Sequence, residues 1–259
     1  MTELFIETSG HGPTPLVLLH GWAMHGGIFA PLAVALMRDF TLYRVDLPGH
    51  GYSRDCDLPL QPNALCAALR ARVPRDALWL GWSMGGLFAL AAARDAALAP
   101  RALALLSSTP RFVQARDWPH AMPSTQFAAF AQALQADYRA TVERFLALEV
   151  LGDVQARADL RALRQEVFVR GEPDPVRLRE GLALLQHSDL RADLSTLGLP
   201  ALWLAGRRDR LVPSAAQRAA AALMPRARHA ELEHAAHAGF IGHAAQVAAA
   251  LIALREAPP

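Results

Sequence analysis

A serine spaced between glycines, Gly81-x-Ser83-x-Gly85, is the position in this chain best suited to chemistry. It lies between an apolar run, Leu78-Trp79-Leu80, and an alanine-rich stretch over 87–93 with helical character. That context predicts a strand, a turn of minimal length and a helix. In so tight a turn the serine backbone is strained, and its neighbours must be nearly free of side chain, which the glycines satisfy. Ser83 Oγ would then stand at the strand's carboxyl end, above the positive end of the helix. The chemistry available there is attack of a hydroxyl on a carbonyl carbon. A serine hydroxyl is a weak nucleophile at neutral pH, so it needs a base, and the base needs an orienting carboxylate.

Two later stretches offer those partners. Asp209 closes Gly206-Arg207-Arg208-Asp209, directly after the apolar run 201–205. His237 sits in Glu233-His234-Ala235-Ala236-His237-Ala238-Gly239-Phe240, between the last predicted strand and the closing helix. The order serine, aspartate, histidine is one of those in which such triads occur. His229, His234 and His243 compete as the base. His237 is preferred because small neighbours let its ring reach inward and Phe240 can anchor the loop. Asp46 also follows a predicted strand, but Asp46-Leu47-Pro48-Gly49-His50-Gly51 reads as a turn held by an Asx hydrogen bond. An oxyanion needs two backbone N–H groups. Met84, after the nucleophile, would supply one, and Trp22, after the predicted strand 16–19, is the best candidate for the other. The Trp22 side chain is also expected to wall the pocket.

These residues need a scaffold that brings strand ends together. Strands are predicted at 4–7, 16–19, 41–45, before Ser83, at 101–106, 201–205 and 230–232, with helices at 28–38, 60–73, 87–93, 214–223 and 244–255. Strands alternating with helices imply βαβ units and a mostly parallel sheet with helices on its faces, an α/β class. Residues 111–193 break the rhythm with helical pattern only. Phe127, Phe130, Leu134, Tyr138, Val142 and Phe145 recur at spacings of three and four, which predicts one helix from the Ser124 cap to residue 150. Asp153 is expected to cap a second helix to 169, and Pro175 to begin a third. The expectation is a single domain: a core of 1–110 and 194–259, and a helical lid of 111–193 over the sheet edge.

Composition narrows the partners. The 259 residues, 53% hydrophobic and 19% charged, describe a globular chain with a sizeable core. A formal charge of +2 is too small to argue for nucleic acid. No apolar run reaches the roughly 18 residues of a membrane span, and Met1-Thr2-Glu3-Leu4-Phe5 has no leader character. Cys56 and Cys66 make no disulfide framework and no metal pattern. A cytoplasmic setting follows as the default, with no metal and no organic cofactor expected, and a monomer as the simplest state. All 26 basic residues are arginine, from which no function is drawn.

With its serine, aspartate, histidine and His20-Gly21 loop, the chain resembles the α/β-hydrolase superfamily over nearly its whole length. Several motifs are more specific: Gly21-Trp22, Val45-Asp46-Leu47-Pro48-Gly49-x-Gly51-x-Ser53 and Trp79-Leu80-Gly81-Trp82-Ser83-x-Gly85-Gly86-Leu87. So are Arg116-Asp117-Trp118-Pro119 (one residue shorter here), Thr141-Val142-Glu143-Arg144-Phe145-Leu146-Ala147-Leu148 and Ala235-Ala236-His237-Ala238-x-Phe240-Ile241. These are similar to the methyl ester esterases that act on a pimeloyl chain carried by acyl carrier protein in biotin synthesis. The resemblance implies that Phe145, Leu146, Ala147, Leu148 and Glu149 contact the acyl chain, together with Trp22, Ser83, Met84 and His237. It also implies that lid arginines dock the acidic carrier protein. Arg144, Arg157 and Arg161 match that pattern; the fourth position is Ala140, with Arg139 beside it. From spacing alone, Arg157, Arg161 and Arg164 form either one basic ridge or a solvated helix face. Two rival readings stay open: a short-chain esterase or lactonase acting on small esters without a carrier, and a binding protein whose pocket only holds ligand.

Overall fold

The run Leu78–Trp82 is apolar throughout and buried along its whole length, so it needs cover on both faces. A strand in the middle of a parallel sheet meets that need. In the computed structural model, which describes residues 3–257, it is β4 of a seven-stranded sheet. Met1, Thr2, Pro258 and Pro259, the outermost residues of the expected core, lie outside the described residues.

The strands are β1 (Ile6–Ser9), β2 (Thr14–Leu19), β3 (Phe40–Val45), β4 (Leu78–Trp82), β5 (Ala102–Leu106), β6 (Ala201–Gly206) and β7 (Ala227–Leu232). Their order is β1-β3-β2-β4-β5-β6-β7, and only the β1–β3 pair is antiparallel. Helices α1 (Ala30–Leu36), α2 (Pro62–Leu69) and α3 (Gly85–Ala93) make the early crossovers. After β2 the chain steps one way to β3, then returns across β2 to β4. This reversal leaves a crevice at the carboxyl ends of β2 and β4, where α/β sheets bind ligands. The residues following those ends are His20-Gly21-Trp22 and Ser83, so the topology brings them together.

Between β5 and β6 the described residues form helices and two isolated bridges, with no strand. They are α4 (Ser124–Ala136), α5 (Tyr138–Glu149), α6 (Ala156–Glu166), α7 (Pro175–His187) and the short α8 (Arg191–Leu194). The single helix expected from Ser124 to residue 150 is two. Asp137 takes an extended conformation (φ −151°, ψ 99°), and its carboxylate accepts from Ala140 N–H at 3.0 Å to start α5. Aspartate competes with the helix for local bonds and favours a cap over an interior position. Asp153 does not cap α6, where Gln155 holds the cap position without a side-chain bond. Asp174 caps α7, accepting from Val176 N–H at 2.8 Å.

The other differences are at element ends. β1 begins at Ile6 and β7 already at Ala227. The helix expected over 28–38 starts as a 3₁₀ turn, Gly26–Phe29. α2 starts at Pro62, whose missing N–H costs nothing in the first turn. After β6, α9 (Ser214–Ala222) returns the chain to β7, and α10 (Ala244–Arg255) closes the fold. Among the described residues no helix is long and apolar enough to cross a membrane.

Candidate active site

Ser83 takes φ +53°, a conformation that a residue with a Cβ adopts only when its surroundings impose it. Such a residue costs about 1–3 kcal/mol, and fixed backbone bonds must offset it. Ser83 N–H donates to Leu106 O at 2.9 Å, and Ser83 O accepts from Gly86 N–H at 3.0 Å and Ser108 Oγ at 2.7 Å. The flanking glycines are sterically required. A Cβ at Gly85 would lie 2.2 Å from Leu19 O, and one at Gly81 would lie 2.4 Å from Gly85 O.

His237 Nε2 lies 2.9 Å from Ser83 Oγ, and His237 Nδ1 lies 2.8 Å from Asp209 Oδ2. A carboxylate only accepts, so Nδ1–H donates to it and Nε2 is left free to accept the serine proton. Asp209 is itself fixed, because its Oδ1 accepts from the N–H groups of Leu211 and Val212, each at 2.9 Å. Trp82 Nε1–H donates to His237 O at 3.0 Å, and Phe240 packs edge-on against Trp82 with ring centroids 4.8 Å apart. All three side chains are buried. A hydroxyl, imidazole and carboxylate in this order can generate a nucleophile.

The competing residues lie elsewhere. His229 meets Ser214 Oγ, His234 stands exposed beside Arg208, and His243 faces Asp153. Asp46 is a brace. Its oxygens accept from Gly26 N–H at 2.6 Å and Tyr52 N–H at 2.8 Å and pair with Arg170 at 3.2 Å. It therefore ties together separate loops, and the expected Asx bond within its own turn is not what holds it.

Trp22 and Met84 lie where the oxyanion donors were expected, after β2 and after Ser83. Among the described residues neither backbone N–H donates a hydrogen bond. The Trp22 loop is held by His20, whose Nδ1–H donates to Gly21 O at 2.8 Å while Nε2 accepts from Leu47 N–H at 2.9 Å. That pattern needs a neutral ring. Burial, helped by neighbouring His50, holds the His20 pKa well below its ordinary value. Burial likewise lowers His50 to about 4.

A cavity opens over Ser83 and His237. Phe145 and Leu148 of α5 line it, but Leu146, Ala147 and Glu149 do not. On a helix, residues three apart share a face and the intervening ones point elsewhere. Leu146 is buried away from the cavity, and the Glu149 carboxyl is buried with its pKa raised by desolvation and by nearby Asp209. Trp22 packs edge-on against Phe130 and Phe145, each with centroids 5.3 Å away, and donates its indole N–H to Leu178 O at 2.9 Å. Much of the lining was not foreseen as site: Phe112, Met122, Phe127 and Phe130, Leu182 and Leu185, with Gln126, Leu211 and Val212 completing it. Phe127 and Phe130 stood in the apolar periodicity, which marks a buried stripe without saying what it faces.

A profile of the alpha/beta hydrolase family matches residues 16–250. The chain belongs to the alpha/beta hydrolase family. This hydrolase is 52% identical over 248 residues to a protein of Xanthomonas oryzae pv. oryzae (strain MAFF 311018), covering 96% of this chain and 97% of that one. It is 51% identical to one from Stenotrophomonas maltophilia (strain K279a), covering 96% and 95%. Both relatives are named pimeloyl-[acyl-carrier protein] methyl ester esterase. Among solved structures, the esterase EaEST from Exiguobacterium antarcticum superposes with a TM-score of 0.86 at 19% identity, covering 98% of this chain and 96% of that one. The enol-lactonase from Burkholderia xenovorans LB400 gives 0.82 at 21% identity, covering 98% and 96%. At those identities the likeness shows the fold.

The arginines of the hydrolase's insertion divide into two kinds. Arg139 pairs with Glu172 and lies over the Phe168 ring, while its side chain stays 75% exposed. Arg164 pairs with Glu143 at 2.8 Å. Arg144 donates to Thr141 Oγ1 of its own helix at 3.1 Å. Arg157 and Arg161 are exposed on α6, and neither makes an ion pair among the described residues.

Proposed function

We propose that this hydrolase is a serine carboxylesterase that removes the methyl group from a pimeloyl methyl ester carried on acyl carrier protein, a step of biotin synthesis. The observation that carries this reading is the 52% identity, over nearly the full length of both chains, to relatives of that name. The site's chemistry supports it. Ser83 Oγ attacks the ester carbonyl while His237 Nε2 takes the proton, and Asp209 stabilises the imidazolium that forms. The N–H groups of Trp22 and Met84 receive the negative oxygen, each such donor being worth about 2.7–4 kcal/mol in the transition state. Collapse of the tetrahedral intermediate expels methanol, which leaves with the proton held by His237. His237 then draws a proton from water, whose oxygen attacks the acyl-enzyme. The carboxyl product departs and Ser83 recovers its proton.

The apolar wall of Phe145, Leu148, Phe130 and Leu182 suits a methylene chain, each buried methylene contributing about 0.8 kcal/mol. Exposed Arg144, Arg157 and Arg161 support docking of an acidic carrier, and Arg139 joins them while pairing with Glu172. The reading carries with it a cytoplasmic, monomeric enzyme that needs no cofactor. Its test is hydrolysis of a carrier-bound methyl ester beside a free methyl ester, together with rescue of a biotin-requiring strain lacking its own esterase. Rescue with faster turnover of the carrier-bound ester is expected. Turnover of free esters alone, without rescue, would instead make this a general short-chain esterase.

A further inference from the structure

The turn between α5 and α6 grips the loop that carries His237. Ala238 N–H donates to Glu149 O at 3.1 Å, and Val154 N–H donates to His234 O at 3.4 Å. Gln155 Nε2–H donates to Gly242 O at 3.0 Å. At the centre stands Asp153, its side chain only 2% exposed. Its Oδ2 accepts from Ala236 N–H at 3.1 Å and lies 3.2 Å from His243 Nε2, while its Oδ1 accepts from Gln155 N–H at 2.8 Å. One carboxylate thus meets the residue just before His237 and a side chain six positions after it. A carboxylate needed only to cap α6 would stay at the helix end. This one keeps Oδ1 on Gln155 N–H at the start of α6 and buries Oδ2 against the loop, which is costly unless its bonds are kept.

We propose that Asp153 is a positioning residue for His237: through the Ala236 amide and the His243 ring it fixes both ends of the loop that holds the imidazole against Ser83. The proposal rests on reading Ser83, His237 and Asp209 as the triad. The base must sit within hydrogen-bond reach of the serine, and a displacement of about 1 Å can cost on the order of 100-fold in rate. The insertion therefore builds part of the catalytic framework as well as the cavity wall.

The test uses the full chain with Asp153→Ala and Asp153→Asn, active-site titrated so that only folded molecules count. Three quantities are read: kcat and KM on a small p-nitrophenyl ester, the rate of Ser83 labelling by a fluorophosphonate, and hydrogen exchange over 233–243. Asp153→Ala is expected to lower kcat and labelling about 10–100-fold with KM nearly unchanged, and to speed exchange in the loop. Asp153→Asn keeps an oxygen for the Ala236 amide and should recover much of the loss. If Asp153→Ala does not fold, His243→Gln removes the other contact and should show the same kcat effect in smaller measure. Wild-type kcat and labelling in Asp153→Ala, or in His243→Gln where the alanine variant does not fold, would overturn the proposal. Should the wild-type chain fail to label at all, the triad reading falls, and loop exchange alone decides. Unchanged exchange in Asp153→Ala would then overturn the proposal, and faster exchange would sustain Asp153 as the loop's anchor.

Discussion

At the carboxyl edge of the sheet, Ser83 and Asp209 are tied by backbone bonds to the ends of β5 and β6, and the side chains of Ser83, His237 and Asp209 meet defined partners at 2.8–2.9 Å. Across the cavity, the insertion presents Phe127, Phe130, Phe145 and Leu148, held by packing and directed at no single atom. The edge is built for bond making, where a small displacement is costly. The insertion is built for burial, which is non-directional and scales with area. One chain can therefore keep its chemistry at the sheet edge and its apolar cavity wall in the helices. Asp153 is where the two regions touch, and there the division is least complete.

The largest expected effect tests the edge. Ser83→Ala and His237→Ala should each lower kcat on any ester by about 10⁴-fold or more, with thermal unfolding nearly unchanged. Asp209→Asn should lower kcat by a comparable factor with little change in KM, because the imidazole loses the tautomer that accepts the serine proton. Retained activity in His237→Ala alongside loss in His234→Ala would move the base to the wrong histidine. A KM effect alone in Asp209→Asn would make it a substrate contact.

A second test moves to the insertion wall. Leu148→Asp places a carboxylate beside the acyl chain and should raise KM for a pimeloyl methyl ester about 10–100-fold, while acetyl esters change little. An equal loss of kcat on both esters would show that the wall also orders the triad, and the comparison would have to be redrawn.

The third reaches the outer surface. Arg144, Arg157 and Arg161 changed together to Glu should lower kcat/KM for a carrier-bound ester about 10-fold at low salt. The deficit should shrink as salt rises, because exposed charges are screened within about 10 Å at 0.1 M. Small methyl esters should be hydrolysed as before. An equal drop on both would mean that the substitutions had disturbed the insertion itself.

The smallest effect concerns the loop of Trp22. Burial lowers both His20 and His50 below their ordinary 6.5, His50 to about 4. The unfolded chain therefore binds more protons than the folded one as pH falls below 6.5. Stability from these rings is complete above 6.5 and lost as pH falls from there towards 4. Asp159 works in the opposite sense. Burial, reinforced by Asp153, raises it from 3.8 to about 6, so its contribution is complete below 3.8 and lost as pH rises through 6. Urea unfolding at steps from pH 7 to pH 4.5 should show the acid loss, and His50→Asn should flatten it. An unchanged slope in that variant would remove His50 as its source.

The elbow was legible because its constraint is local: glycines two residues either side of Ser83 leave the tight turn room, and they adjoin it in sequence. Alternating apolar strands and helices likewise announced the α/β sheet, and the order Ser83, Asp209, His237 followed from their places after strands. Less was legible in the insertion. The apolar period through Phe127, Phe130 and Phe145 ran across Asp137, where a local carboxylate bond ends one helix and starts another. The stretch 145–149 was expected to face substrate as a block, yet of these only Phe145 and Leu148 line the cavity.

The sequence by itself determined the fold class and the residues able to do chemistry, because strand period, turn sterics and the nucleophile's flanking glycines act over a few residues. Small neighbours favoured His237 among four histidines, and tertiary structure decided which one meets Ser83, since His229, His234, His237 and His243 differ in their partners and not in their chemistry. It also decided that Arg139 pairs with Glu172, that Asp46 braces loops, and that Asp153 reaches Ala236. Those outcomes depend on contacts between residues up to 154 positions apart. No local pattern encodes such a contact, because its partner is chosen by how whole elements pack.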